Sequence, residues 1–114
     1  MVSPLFLLMI ASCNIFGRIN SVTNIQPKDI FILGNNEHGT FNVELKNVSF
    51  ADLEIYLTPL GGGKHSFQII KPSQSIKIKV DKNTALNIIN STEKIADVNL
   101  KVTGDTGLSM GYKN

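Results

Sequence analysis

Apolar and polar positions alternate with a period of two along much of the chain. Phe41, Val43 and Leu45 alternate with Asn42, Glu44 and Lys46, and Leu53, Ile55 and Leu57 with Asp52, Glu54, Tyr56 and Thr58. Ile76, Ile78 and Val80 alternate with Lys77, Lys79 and Asp81, and Ala96, Val98, Leu100 and Val102 with Asp97, Asn99, Lys101 and Thr103. Such segments are strands with one face buried and one wet. Asp29–Leu33, Phe67–Ile70 and Ala85–Ile89 carry adjacent apolar residues, which fits burial on both faces or a bulge. A last strand, Leu108–Tyr112, points Leu108, Met110 and Tyr112 one way. No window of eleven residues carries a helical stripe.

Turn-forming residues separate these segments at Gly34–Gly39, Gly61–Gly63, Lys71–Ser73, Asp81–Asn83 and Gly104–Gly107. Strands at this spacing predict an all-β domain, a seven- to eight-stranded antiparallel β-sandwich, with an immunoglobulin-like Greek key favoured. That preference rests on strand count, because the chain has one Cys and no Trp and so lacks the Cys–Trp–Cys core of true immunoglobulin domains.

The N-terminus has a different pattern. Pro4 to Ala11 is an apolar run, long enough for the hydrophobic part of a signal peptide and far short of the ~20 residues of a membrane span. Ile10-Ala11-Ser12-Cys13 follows and resembles the bacterial lipobox. The resemblance implies diacylglyceryl modification of the Cys13 thiol, cleavage just before it, and anchoring in the cell envelope. A thiolate is the side chain best suited to such an alkylation, and two or three acyl chains hold stably where one does not. The segment departs from secretory leaders in having no Lys or Arg in Met1-Val2-Ser3. The other reading takes residues 1–20 as an ordinary secretory leader, or a first strand, with Cys13 incidental. The expected organisation is a signal peptide over 1–12, a lipidated cysteine with a polar flexible tether over 13–26, and a β-sandwich domain over 27–114.

Composition limits the choice of function. One domain fits in 114 residues, and a 42% apolar fraction excludes a disordered chain. The net charge of +2 is spread along the sequence, without the basic run of a nucleic-acid binder. Asn47-Val48-Ser49 and Asn90-Ser91-Thr92 each follow a strand and read as turns in which Asn caps the backbone. The same tripeptides are N-glycosylation sequons in a eukaryotic secretory pathway.

No reaction centre is visible in the sequence. The two histidines, His38 and His65, stand in Gly-rich turns, and a metal site needs three or four ligands. They could meet beside Glu37, but exposed turn histidines are the simpler expectation. No serine lies in a Gly-x-Ser-x-Gly elbow. Gly61-Gly62-Gly63-Lys64 lacks the spacing of a phosphate loop, and Gly104-Asp105-Thr106-Gly107 has too few carboxylates for calcium. No enzyme, cofactor or metal is expected. The candidate binding loops carry Glu37, His38, Lys64, His65 and Asp105. Lys77 and Lys79, with Lys82 beyond, line one strand and would suit an anionic lipid or glycan, or would guard a sheet edge. The sequence reading is therefore a lipid-anchored bacterial envelope protein with a binding or structural domain. Its expected partners are the membrane and an envelope protein or glycan, not nucleic acid. A soluble secreted adhesin-like or carbohydrate-binding module is the alternative.

Overall fold

The computed structural model describes residues 16–113. Nine strands follow in order: β1 Phe16–Ile25, β2 Asp29–Leu33, β3 Phe41–Asn47, β4 Leu53–Pro59, β5 His65–Ile70, β6 Ser75–Val80, β7 Thr84–Asn90, β8 Ala96–Asp105 and β9 Met110–Tyr112. They form two antiparallel sheets, a four-stranded one in the order β1-β8-β3-β6 and a five-stranded one in the order β5-β4-β7-β2-β9.

The pairing is nested. β4 pairs β5, β3 pairs β6, β2 pairs β7 and β1 pairs β8. The chain is thus one long hairpin, doubled back at the Leu60–Lys64 turn and rolled so that successive strand pairs fall in alternate sheets. Three further ladders, β3·β8, β4·β7 and β2·β9, complete the sheets. An eight-stranded sandwich wound in this way is a jelly roll. The immunoglobulin-like arrangement favoured from the sequence is therefore corrected, because an immunoglobulin sheet pairs the first two strands with each other. Here β1 and β2 lie in different sheets. Strand count says nothing of which strands pair, and that choice depends on long-range contacts.

The alternating segments bury the expected faces. Phe41, Val43 and Leu45 meet Leu33, Leu53, Ile55, Leu86, Ile88 and Leu100 in one continuous core. The segments with adjacent apolar residues divide. β7 is covered on both faces, with Ala85, Leu86, Asn87 and Ile88 all buried. β5 is an edge strand whose pairing with β4 slips between Ile55 and Leu57, and its Phe67 and Ile69 stay exposed.

The second correction concerns the polar stretch read as a tether. From Phe16 to Ile25 it is β1, paired with β8 over all ten residues, and Ile25 is fully buried. Its apolar residues Ile19, Val22 and Ile25 recur every third position, which is neither a strand nor a helix period. Its inward positions include Ser21 and Thr23, whose hydroxyls hydrogen-bond to each other at 3.0 Å. Main-chain pairing with β8, more than apolar alternation, holds this strand. Cys13 and the leader lie outside the described residues.

All connections fall at the two ends of the sandwich. At one end lie the links β1–β2, β3–β4, β5–β6 and β7–β8. At the other lie β2–β3, β4–β5, β6–β7 and β8–β9, together with the start of β1.

Candidate functional site

The candidate loop residues all fall at the second end, but they do not form one site. His38 is wedged into the structure: Nε2 faces the Thr84 carbonyl oxygen at 2.8 Å, Nδ1 faces that of Gly39, and the ring meets Phe41 edge-on at 5.0 Å. Its backbone amide donates to Asn83 Oδ1 at 2.9 Å. With both ring nitrogens engaged by main chain, His38 locks the β2–β3 loop onto β7. Asp105 Oδ2 accepts the Gly39 amide at 2.6 Å, and Oδ1 accepts the Gly107 amide at 2.8 Å. These two amides, Gly39 first, hold its carboxyl below its ordinary value of 3.8, and His38 nearby adds to the effect against a small opposing cost of burial. Glu37 is exposed beside them.

His65 starts β5, an edge strand, and Lys64 stands just before it in the turn. The Lys64 ammonium stands 4.8 Å above the Tyr56 ring, and Phe67 packs on that ring at 5.4 Å. His65 Nδ1 lies 2.8 Å from Ser66 Oγ. His38 and His65 are thus engaged separately, and among the described residues no three His, Cys, Asp or Glu side chains gather to hold a metal ion. A small groove of about 270 Å³ lies on the outer face of the five-stranded sheet between Tyr56, Lys64 and Lys113. The Asn87 amide at its floor is taken up by Thr58 Oγ1 at 2.9 Å.

A further concavity lies on neither loop cluster. An open groove of about 890 Å³ runs over the outer face of the four-stranded sheet. The strand registers order its side chains in two rows. Arg18, Thr103, Asn42 and Lys79 lie side by side from β1 across β8 and β3 to β6. Asn20, Lys101, Glu44 and Lys77 form the next row. Of these residues the sequence had singled out only Lys77 and Lys79, as a charged strand face. Arg18 and Asn20 were missed because β1 was read as a tether, and Lys101 because nothing local shows that β8 neighbours β1 and β3. Guarding an edge accounts for lysines on β6, an edge strand. It does not account for Lys101, which stands on an interior strand. Among the described residues none of these cations makes an ion pair; Lys28 with Glu93, at 3.1 Å, lies elsewhere.

The two asparagines of the sequons close the first end. Both side chains are fully buried. Asn47 Nδ2 donates to the carbonyls of Ala51 and Ile70, both at 2.8 Å. Asn90 Nδ2 donates to those of Ile25, Gln26 and Lys94, at 2.9, 3.2 and 2.7 Å. Each amide nitrogen is used in the fold, as the turn reading requires and a glycan would prevent.

The sequence matches no protein-family model and no curated protein. Similar solved structures exist. The capsular polysaccharide assembling protein CapF from Staphylococcus aureus matches with a TM-score of 0.56 at 18% identity, over 75% of this chain and 22% of CapF. The Yersinia pseudotuberculosis-derived mitogen matches with a TM-score of 0.54 at 20% identity, over 81% of this chain and 89% of the mitogen. This chain spans less than a quarter of CapF and most of the mitogen. At these identities the likeness is one of fold.

Proposed function

We propose that this chain is a bacterial envelope lipoprotein, anchored through Cys13, whose jelly-roll domain binds an anionic envelope component and performs no catalysis. The observation that carries the binding reading is the groove on the four-stranded sheet. Arg18, Lys77, Lys79 and Lys101 line it without ion-pair partners among the described residues, between the amides and hydroxyl of Asn20, Asn42 and Thr103. Unpaired cations on a concave face attract a negatively charged ligand and discriminate by charge and hydrogen-bond geometry.

Anchoring suits this arrangement. Cys13 stands three residues before Phe16, so β1 begins within roughly 10 Å of the lipid-bearing residue. The second end of the sandwich then faces the membrane, and the groove stands along the side, open to polymer in the envelope.

Two measurements test the reading. Phase partitioning and intact mass of the native protein, beside Cys13→Ala, should give a detergent-phase, acylated chain starting at Cys13 and a water-phase variant. A free thiol on water-phase protein leaves the alternative of a secreted domain. Affinity electrophoresis through an acidic polysaccharide should retard the native domain, and the double charge reversal Lys77→Glu, Lys101→Glu should abolish the retardation. Equal migration of both would remove the groove as the ligand surface.

A further inference from the structure

Glu44 occupies an unexpected place in this groove. It stands on β3 with Lys101 beside it on β8 and Lys77 beside it on β6, yet among the described residues it pairs with neither. Strands lie ~4.8 Å apart, so the two lysines start roughly 10 Å from each other with a carboxylate between them. In the adjacent row Arg18 and Lys79 start roughly 14 Å apart, with Thr103 and Asn42 between. Arg18, Lys79 and Lys77 thus stand at row ends, while Lys101 stands inside, directly beside Glu44 and opposite Lys77 across it.

Resting on the proposed binding groove, we infer that Glu44 is its specificity-determining residue and that the ligand is a polysaccharide with acidic sugars separated by neutral ones. A contiguous polyanion would place charge over Glu44, and like charges in juxtaposition oppose binding. A neutral sugar unit at that point presents hydroxyl groups, which a carboxylate accepts in charge-assisted hydrogen bonds. The flanking acidic sugars then reach Lys101 and Lys77 on either side of Glu44, and Asn20, Asn42 and Thr103 take the remaining hydroxyls. Among the described residues the groove offers charged, amide and hydroxyl groups, which suit the carboxylates and hydroxyls of such a chain. The concavity suits a single chain and not the flat surface of a bilayer.

The test uses the native protein and Glu44→Gln, titrated calorimetrically at about 0.15 M salt with two probes. Hyaluronan oligosaccharides carry a carboxylate on alternate sugars, and heparin is densely sulfated. Removing the carboxylate should strengthen heparin binding and weaken hyaluronan binding, each by about threefold to fivefold, as for a solvent-exposed charge. Glu54→Gln, an outward carboxylate on the other sheet, should move neither. An unchanged hyaluronan-to-heparin ratio in Glu44→Gln overturns the role of Glu44 while leaving the groove as a polyanion site. Binding of neither probe by the native protein overturns the groove reading itself. A preference for anionic phospholipid vesicles over both probes would overturn the polysaccharide.

Discussion

Asn47 and Asn90 make matching hydrogen bonds, Asn90 with one more to Gln26, on two loops that cross between the sheets in opposite directions. Asn47 ends β3, where the chain leaves the four-stranded sheet; Asn90 ends β7, where it returns to it. In each, Oδ1 accepts the backbone amide and the hydroxyl of the residue two positions on: Ser49 at 2.9 and 2.6 Å, Thr92 at 3.0 and 2.7 Å. Each hydroxyl passes its proton to Oδ1 or to the carbonyl two residues further, Ala51 or Lys94, at 3.0 Å. Each Nδ2 reaches across to a neighbouring strand end, Ile70 of β5 or Ile25 of β1. A buried carbonyl needs a donor, and a turn at a sheet crossing removes the ladder that would supply one. The asparagine amide takes its place.

Replacing either asparagine leaves those carbonyls unpaired. Asn47→Ala and Asn90→Ala should each lower the free energy of unfolding by about 3 kcal/mol in urea denaturation. Asn47→Asp keeps the acceptor and loses the donor, and should be at least as damaging. A loss below about 0.5 kcal/mol, the scale of ordinary surface substitutions, would mean that the clasp is dispensable.

Residues 16–25 belong to the fold. A chain beginning at Pro27 loses the β1·β8 ladder and the buried Ile25, and leaves β8 as an open edge. It should aggregate or lose cooperative unfolding by circular dichroism. Unaltered melting would restore the tether reading.

Gly104 sits at φ +98°, and a Cβ there would stand 2.9 Å from the Thr40 carbonyl oxygen and 3.1 Å from Phe41 Cα. Both contacts are backbone, so neither swings away. Gly104→Ala should cost roughly 3 kcal/mol of stability, combining left-handed strain with the clash. Gly61→Ala, which meets nothing within 4 Å, serves as the neutral control.

Asp105 ties stability to acid pH. Its carboxyl is held below its ordinary value of 3.8 in the fold, chiefly by the Gly39 amide. Its contribution is thus complete above that ordinary value and lost as pH falls through the lower folded one. Urea unfolding from pH 5 downward should show native stability falling more steeply than that of Asp105→Asn. Parallel curves would show that this carboxylate carries no linkage.

The sequence by itself determined the fold class and the inward faces. Phe41, Val43, Leu45, Leu53, Ile55, Val98, Leu100 and Val102 alternate with polar residues, and all are buried. The reason is local: in a strand, successive side chains point to opposite faces, so solvent and core write their demands directly into the order of residues. The capping role of Asn47 and Asn90 was legible for a similar reason, since the Asn-x-Ser/Thr spacing makes most of the motif's bonds within five residues. Tertiary structure alone decided the rest. β1 is made a strand by β8, a partner more than seventy residues away in sequence along its whole length, and its own residues are too polar to show it. The jelly-roll order and the groove have the same origin. Arg18, Lys101, Glu44 and Lys77 come from four strands scattered over the chain. Each alone is an ordinary outward charge, and only the choice of neighbouring strands sets them side by side.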